Sequence, residues 1–379
     1  MAHIYELRAA KKFGPGYFIR EQMEVRGWVQ QELAEILGIS LKHLNSILLD
    51  KQPLTTDLAR LISKVFGTSP QYWLNIDNDY RLWLEQGSDD KENAVAEKAA
   101  IYSHMPVRDM VRKGWIGKPR DIDHLKKQVS DFWGVEEFDP ASVNNVLEYY
   151  QRKSDAYNQF NASYSATWLQ MARKVASGLD VHGYNSKKLE TLFNEIFTYT
   201  NRTGGIGEFI SELKYCGVKF FVLPHLEKTY LDGAAFYDGG NPVIVYTGRY
   251  KRINNFWFTV AHEIAHVLFH LNEQTPYILD DLKEVNKDDK ENEANRIASE
   301  KLKHPDILEY LKDSLRYLAR SKIEECSRHL DIHPAVIIGA LAHNKTISYK
   351  NIHLYNDNVL EIIPERYLHE SVVENNNVK

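Results

Sequence analysis

Between Trp257 and His270 the chain sets His262, Glu263 and His266 into a run that is otherwise almost wholly apolar (Val260, Ala261, Ile264, Ala265, Val267, Leu268). Such a run is expected to be a buried helix, yet burying histidine and glutamate without partners is costly. Helical positions four apart lie on one face, about one turn from each other, so His262 and His266 project side by side. Two imidazoles so placed can each give a nitrogen to a single Zn²⁺ at about 2.0–2.1 Å. Glu263 is turned about 100° from His262 around the helix, where its carboxylate can reach the space beside an ion without ligating it. That is the position of a general base in a metallopeptidase. The plain alternative is a core helix whose histidines satisfy ordinary hydrogen bonds, and the spacing alone does not separate the two.

His270 continues the four-residue series, but it stands about 12 Å along the axis from His262. Both cannot reach one ion, so His270 is read as a helix-end residue favoured by the helix dipole. A third ligand must come from elsewhere. After a polar stretch from Asp280 to Lys290, the segment Glu291 to Leu302 has Glu291, Ala294, Asn295, Ala298 and Leu302 on one helical face. The small residues there permit close packing against another helix. Glu291 therefore points inward and is the preferred ligand, while Glu293 points to the side and stays open as the alternative.

These segments resemble the ImmA/IrrE-type metallopeptidases, a gluzincin-like family with H-E-x-x-H followed on a later helix by Glu-x-x-x-Asp/Asn-x-Phe-Ala. The matching positions are His262, Glu263, His266, Glu291, Asn295 and Ala298. The resemblance implies a zincin-like domain with Zn²⁺ held by His262, His266 and Glu291. It further implies Glu263 as the base and Asn295 as a group hydrogen-bonding near a ligand. Ala265 stands where glycine is usual and Ile297 where phenylalanine is usual, and neither departure removes a catalytic group.

Near the other end, Trp28 to Leu48 reads as two short helices. Leu33, Ala34 and Leu37 have helical spacing, Gly38 breaks the first helix, and Ser40 can cap a second with Leu44, Ile47 and Leu48 inward. Two helices about such a turn make a helix-turn-helix, whose second helix enters the major groove of DNA. Its polar face is Ser40, Lys42, His43, Asn45 and Ser46; Asn45 suits adenine, and Lys42 suits guanine or phosphate. Gln30, opening the first helix, suits a phosphate. A plain helical bundle is the competing reading, and residues 1–52, with seven Lys/Arg against six Asp/Glu, lack a strong basic footprint. However, Gln-x-x-Leu-Ala-x-x-x-Gly-Ile-Ser resembles the XRE/Cro-type motif, and the continuation to Trp83 resembles its HigA branch. Val29 replaces the usual capping threonine, and Asp50 stands where glycine or asparagine is expected.

The remainder frames these two sites. A chain of 379 residues, 43% hydrophobic and 26% charged with a net charge of −5, has room for two or three cores and advertises neither nucleic acid nor membrane globally. Cys216 and Cys326 are too few for a disulfide framework. With no signal-peptide pattern and no long apolar run, a cytoplasmic protein is expected. The polar stretch Gln86–Asn93 suggests a hinge, and residues 94–185 are helical in pattern and rich in aromatic residues read as core or interface. Val218–Leu223 and the pair Gly233–Tyr237 and Pro242–Tyr246, joined through Asp238-Gly239, read as strands with a hairpin.

The expected fold class is mainly α with a small β-sheet (α+β). The domains are an arm (1–15), a lambda-repressor-like helix-turn-helix (16–87), a helical spacer (88–185), the peptidase-like domain (186–350) and a tail (351–379). By resemblance, such fusions are antitoxins repressing their own operon, or stress regulators whose peptidase cleaves a repressor. The partners expected are operator DNA, a protein substrate or toxin, and a second copy of the chain.

Overall fold

A computed structural model of the chain describes residues 12–85, 89–139, 159–227, 229, 231–272, 275, 277–281, 289–347, 355 and 357–369. The chain divides into two compact units, Met1–Glu97 and Lys98–Lys379. It is mainly helical with one small sheet, as its sequence led us to expect.

In the first unit, α1 (Pro15–Arg26), α2 (Gln30–Leu37), α3 (Leu41–Leu48), α4 (Thr56–Phe66) and α5 (Pro70–Glu85) enclose Leu33, Leu37, Leu44, Ile47, Ile62 and Trp73. Pro15 already belongs to α1, at a position where its missing N–H costs nothing; residues 1–11 of the expected arm lie outside the described residues. Gly38, at φ 68°, ends α2 and turns the chain into Ser40, whose Oγ accepts the His43 N–H at 3.2 Å to start α3. At Gly16 a Cβ would stand 2.3 Å from the Leu48 carbonyl oxygen, so only glycine lets α1 pack on α3 with backbones this close. Asp50 adopts φ 55°, and its carboxylate accepts the Gly16 N–H at 2.8 Å, which offsets the cost of a non-glycine residue there.

The helix α6 (Asp89–His104) runs through the division at Glu97, and in the second unit α7 (Val107–Arg112), α8 (Ile122–Trp133), α9 (Gln159–Ser177), α10 (Ser186–Asn194), α11 (Ile196–Thr200) and α12 (Gly205–Tyr215) precede the sheet. The polar stretch read as a hinge is helical from Asp89 onward, because Lys, Glu and Ala there favour helix; residues 86–88 lie outside the described residues. Of the aromatic residues in the spacer, Trp168 is fully buried core, and Tyr149, Tyr150 and Tyr157 lie outside the described residues.

The strands β1 (Lys219–Val222), β2 (Leu231–Asp238), β3 (Asn241–Tyr246) and β4 (Tyr277–Asp281) are ordered β1-β3-β2-β4. β1 runs parallel to β3 and the other pairs are antiparallel. The β2–β3 hairpin turns at Gly239 and Gly240, as the Asp-Gly signal suggests. β4 differs from expectation: backbone pairing continues through Asp280 and Asp281, which read as loop by their charge, while residues 282–288 lie outside the described residues.

Side chains alternate across the strands, and both faces of the sheet are covered. Phe220, Val222, Ala235, Ile244 and Tyr246 join the core on one face; Phe221, Leu223, Ala234, Phe236, Val243 and Val245 join the other, packed under α9. On the first face lie α13 (Ile253–Ala265), α14 (Asp289–Lys301), α15 (His304–Leu311), α16 (Arg320–Leu330) and α17 (Pro334–His343). Part of the expected tail (351–379) belongs to the fold. Val359, Leu360 and Ile363 are buried, and Leu368 bridges Val222 on β1, whose carbonyl accepts the His369 N–H at 3.0 Å. Residues 370–379 lie outside the described residues.

Candidate metal centre and nucleic-acid interface

Every residue of α13 from Thr259 to Ala265 is buried, between the sheet and the helices α14 and α17. Ala294 and Ala298, both fully buried on α14, allow that helix to approach closely and carry Glu291 to the histidines. Glu291 Oε2 lies 3.2 Å from His262 Nε2, and its Oε1 lies 3.5 Å from His266 Nε2. The two Nε2 atoms are 2.8 Å apart. His262, His266 and Glu291 thus bring one donor atom each to within 4.8 Å of one another. Two imidazole nitrogens and a carboxylate, with room for one further ligand, are the donor set of a catalytic zinc site.

Asn295 Oδ1 is 3.1 Å from His262 Nδ1, behind the face that meets Glu291. Glu293 turns away from the trio: its Oε2 lies 3.2 Å from His270 Nε2. Burial holds His266 down at about pKa 4, so the ring is neutral at pH 7. Burial alone would raise Glu291, but hydrogen bonds to His262 and His266 outweigh it and hold the carboxyl well below the usual range. Glu263 is fully buried and faces β2. A Cβ at Gly233 would stand 2.3 Å from Glu263 Oε1, so glycine at that strand position makes the space for the carboxylate. Nothing in the sequence around Gly233 pointed to this, because the contact is made across the fold.

His270 is the last residue of the helix, as its place in the series led us to expect. The chain from His266 to His270 widens into a π-helical turn, closed by Leu271 N–H donating to His266 O at 2.9 Å. His270 is 4% exposed, and its Nδ1 lies 2.9 Å from His266 Nδ1. Of the other histidines, His304 and His343 flank Phe258, and His333 Nδ1 accepts the Ala335 N–H to cap α17.

On the first unit, Gln30, Ser40, Lys42 and His43 are exposed, and Asn45 and Ser46 are half-buried. Two of these six are occupied within α3: Ser40 as its cap, and Ser46, whose Oγ donates to Lys42 O at 3.1 Å. Lys42, His43, Asn45 and Gln30 carry the remaining polar side chains of the face. Val29 cannot cap through its side chain, yet Glu32 supplies the reciprocal half of the cap by accepting the Val29 N–H at 2.8 Å.

Comparison with known proteins matches the two regions that hold these residues. Residues 19–73 match the helix-turn-helix family and residues 214–332 match the IrrE N-terminal-like domain. An uncharacterised helix-turn-helix transcriptional regulator of Haemophilus influenzae is 30% identical over 74 residues, 19% of this chain and 69% of its own. The regulator YddM of Escherichia coli K12 is 34% identical over 68 residues, 18% of this chain and 72% of its own. Virulence-associated protein I of Dichelobacter nodosus is 28% identical over 82 residues, 21% of this chain and 76% of its own. The chain is a DNA-binding protein of the helix-turn-helix class. It belongs to the XRE-type transcriptional regulators and bears a C-terminal IrrE-like domain of the zinc metallopeptidase type. Among the described residues no helix is long and apolar enough to cross a membrane.

Proposed function

We propose that the IrrE-like domain is a zinc-dependent endopeptidase that hydrolyses a protein partner, and that the helix-turn-helix directs it to DNA-linked regulation in the cytoplasm. The observation that carries this reading is the convergence of His262, His266 and Glu291 beside a fully buried Glu263. These three residues would hold the metal, and Asn295 would orient His262 through Nδ1. When bound, zinc supplies Lewis acidity toward a peptide carbonyl and toward water. Glu263 takes the proton from the attacking water at a carboxylate oxygen and returns it to the leaving amine. Its burial beside Gly233 keeps bulk water away from that oxygen. A purely structural metal site has no need of a base, and the retention of Glu263 supports catalysis.

At the DNA, α3 would lie in the major groove with Lys42, His43 and Asn45 toward base edges, and Ser40 and Ser46 at its margins. Gln30 would meet a phosphate. Helix-turn-helix proteins work as dimers on two half-sites, so a homodimer on an operator is part of the proposal.

The test is metal content of the purified chain beside His262→Ala, Glu291→Ala and Glu293→Ala. Zinc near one ion per chain, lost in the first two variants and retained in the third, is expected. Wild-type protein that takes up no zinc would overturn the metal centre. It would leave an antitoxin or autorepressor whose peptidase fold only binds a toxin or ligand.

A further inference from the structure

We infer that His270 and Glu293 form a relay that fixes the metal-binding tautomer of His266; the inference rests on the metal-centre reading above. The chain of contacts runs from Glu293 Oε2 to His270 Nε2 (3.2 Å), and from His270 Nδ1 to His266 Nδ1 (2.9 Å). A carboxylate only accepts, so the His270 Nε2 carries the proton and donates it. In the neutral ring the His270 Nδ1 is then bare and accepts. With an ion in place of the Nε2–H that otherwise meets Glu291, His266 donates from Nδ1 and its Nε2 lone pair is left for that ion. One carboxylate, 51% exposed at the end of the relay, sets the polarity of every bond in it.

The same device acts on the other imidazole with different parts. Asn295 Oδ1 meets His262 Nδ1 at 3.1 Å and accepts its proton, which leaves that Nε2 for an ion as well. Each of the two rings is held from behind, His262 by a single amide and His266 by a buried histidine backed by a carboxylate. Partners of this kind raise ligand basicity and lock ring orientation. The π-helical turn brings His270 to this place: its wider backbone winding sets the His270 ring behind His266, with Nδ1 facing Nδ1. Arg296 approaches the other oxygen of Glu293 at 4.0 Å and leaves Oε2 for His270.

Zinc affinity of the full chain, measured by competition with a chelator, tests this. His270→Leu is expected to weaken zinc binding about 10–100-fold, whereas His270→Asn, whose Oδ1 can stand in for Nδ1 as acceptor, recovers most of that loss. Glu293→Ala, at a half-exposed position that does not endanger folding, is expected to cost up to about 10-fold. In the zinc-loaded chain, nitrogen-15 spectra should show the His266 Nδ1 proton strongly hydrogen-bonded to His270 in wild type and that bond weakened in Glu293→Ala. If His270→Leu and Glu293→Ala bind zinc as tightly as wild type, or if the Leu and Asn variants lose the same amount, the relay is wrong while the metal centre stands. If wild-type protein binds no zinc, the metal centre itself falls, and the relay with it.

Discussion

The proposed reading helix of the first unit and the candidate metal centre of the second are built on opposite principles. α3 is defined by neighbours in sequence: Ser40 caps it, Gly38 turns into it, and its polar side chains face solvent. The metal centre is assembled from two helices and a strand, with His262, Glu291 and Gly233 far apart in sequence and the chemistry shut inside the core. A surface site of the first kind is tuned by salt and by single side chains. A buried site of the second kind responds to anything that shifts its walls.

The sharpest test of that contrast is Glu291→Ala, which should abolish stoichiometric zinc. That exceeds the 10–100-fold cost of losing an outer partner, and it should leave operator binding in a gel-shift assay unchanged. Glu263→Gln should retain zinc and DNA binding but lose cleavage of a protein substrate. Loss of zinc in that variant would show that Glu263 is a ligand rather than a base. Gly233→Ala, remote in sequence from both, should destabilise the second unit by about 1–3 kcal/mol as its Cβ displaces Glu263, read by thermal denaturation.

A buried imidazole offers a pH test. Burial, with His343 adding to it, holds His304 down at about pKa 3. In the unfolded chain it returns to about 6.5, so the unfolded state binds more protons between those values. Stability from this group is full above pH 6.5 and declines as pH falls toward 3. Urea midpoints of His304→Phe should therefore drop less on acidification than those of wild type. The smallest effect belongs to the surface: Val29→Thr, completing a cap that Glu32 already half supplies, should stabilise the first unit by about 0.5–1 kcal/mol.

What could be read in advance follows the same division. Leu33, Gly38, Ser40 and Leu44 report a local pattern, so the helix pair was evident from spacing alone. His262 and His266 stand out because two imidazoles in an apolar run need a reason. Glu291 was preferred over Glu293 on helical phase, and its carboxylate does meet the two histidines. His270 was placed at the helix end, but its contact with His266 was not legible, because ideal helical geometry gives no sign that the backbone widens into a π turn past His266. Gly233 and β4 were not legible, since one depends on a contact across the fold and the other on backbone pairing that overrides charge.

The pairing of Leu368 with Val222 has a consequence for solubility. β1 is the outer strand on its side of the sheet, and the segment from Glu365 to His369 lies along its open edge like the selvedge of a cloth. Bare strand edges recruit other chains. A protein clipped ahead of Glu365 would keep His262, His266, Glu291 and α3, yet it would carry an unhemmed edge through which copies could stitch together.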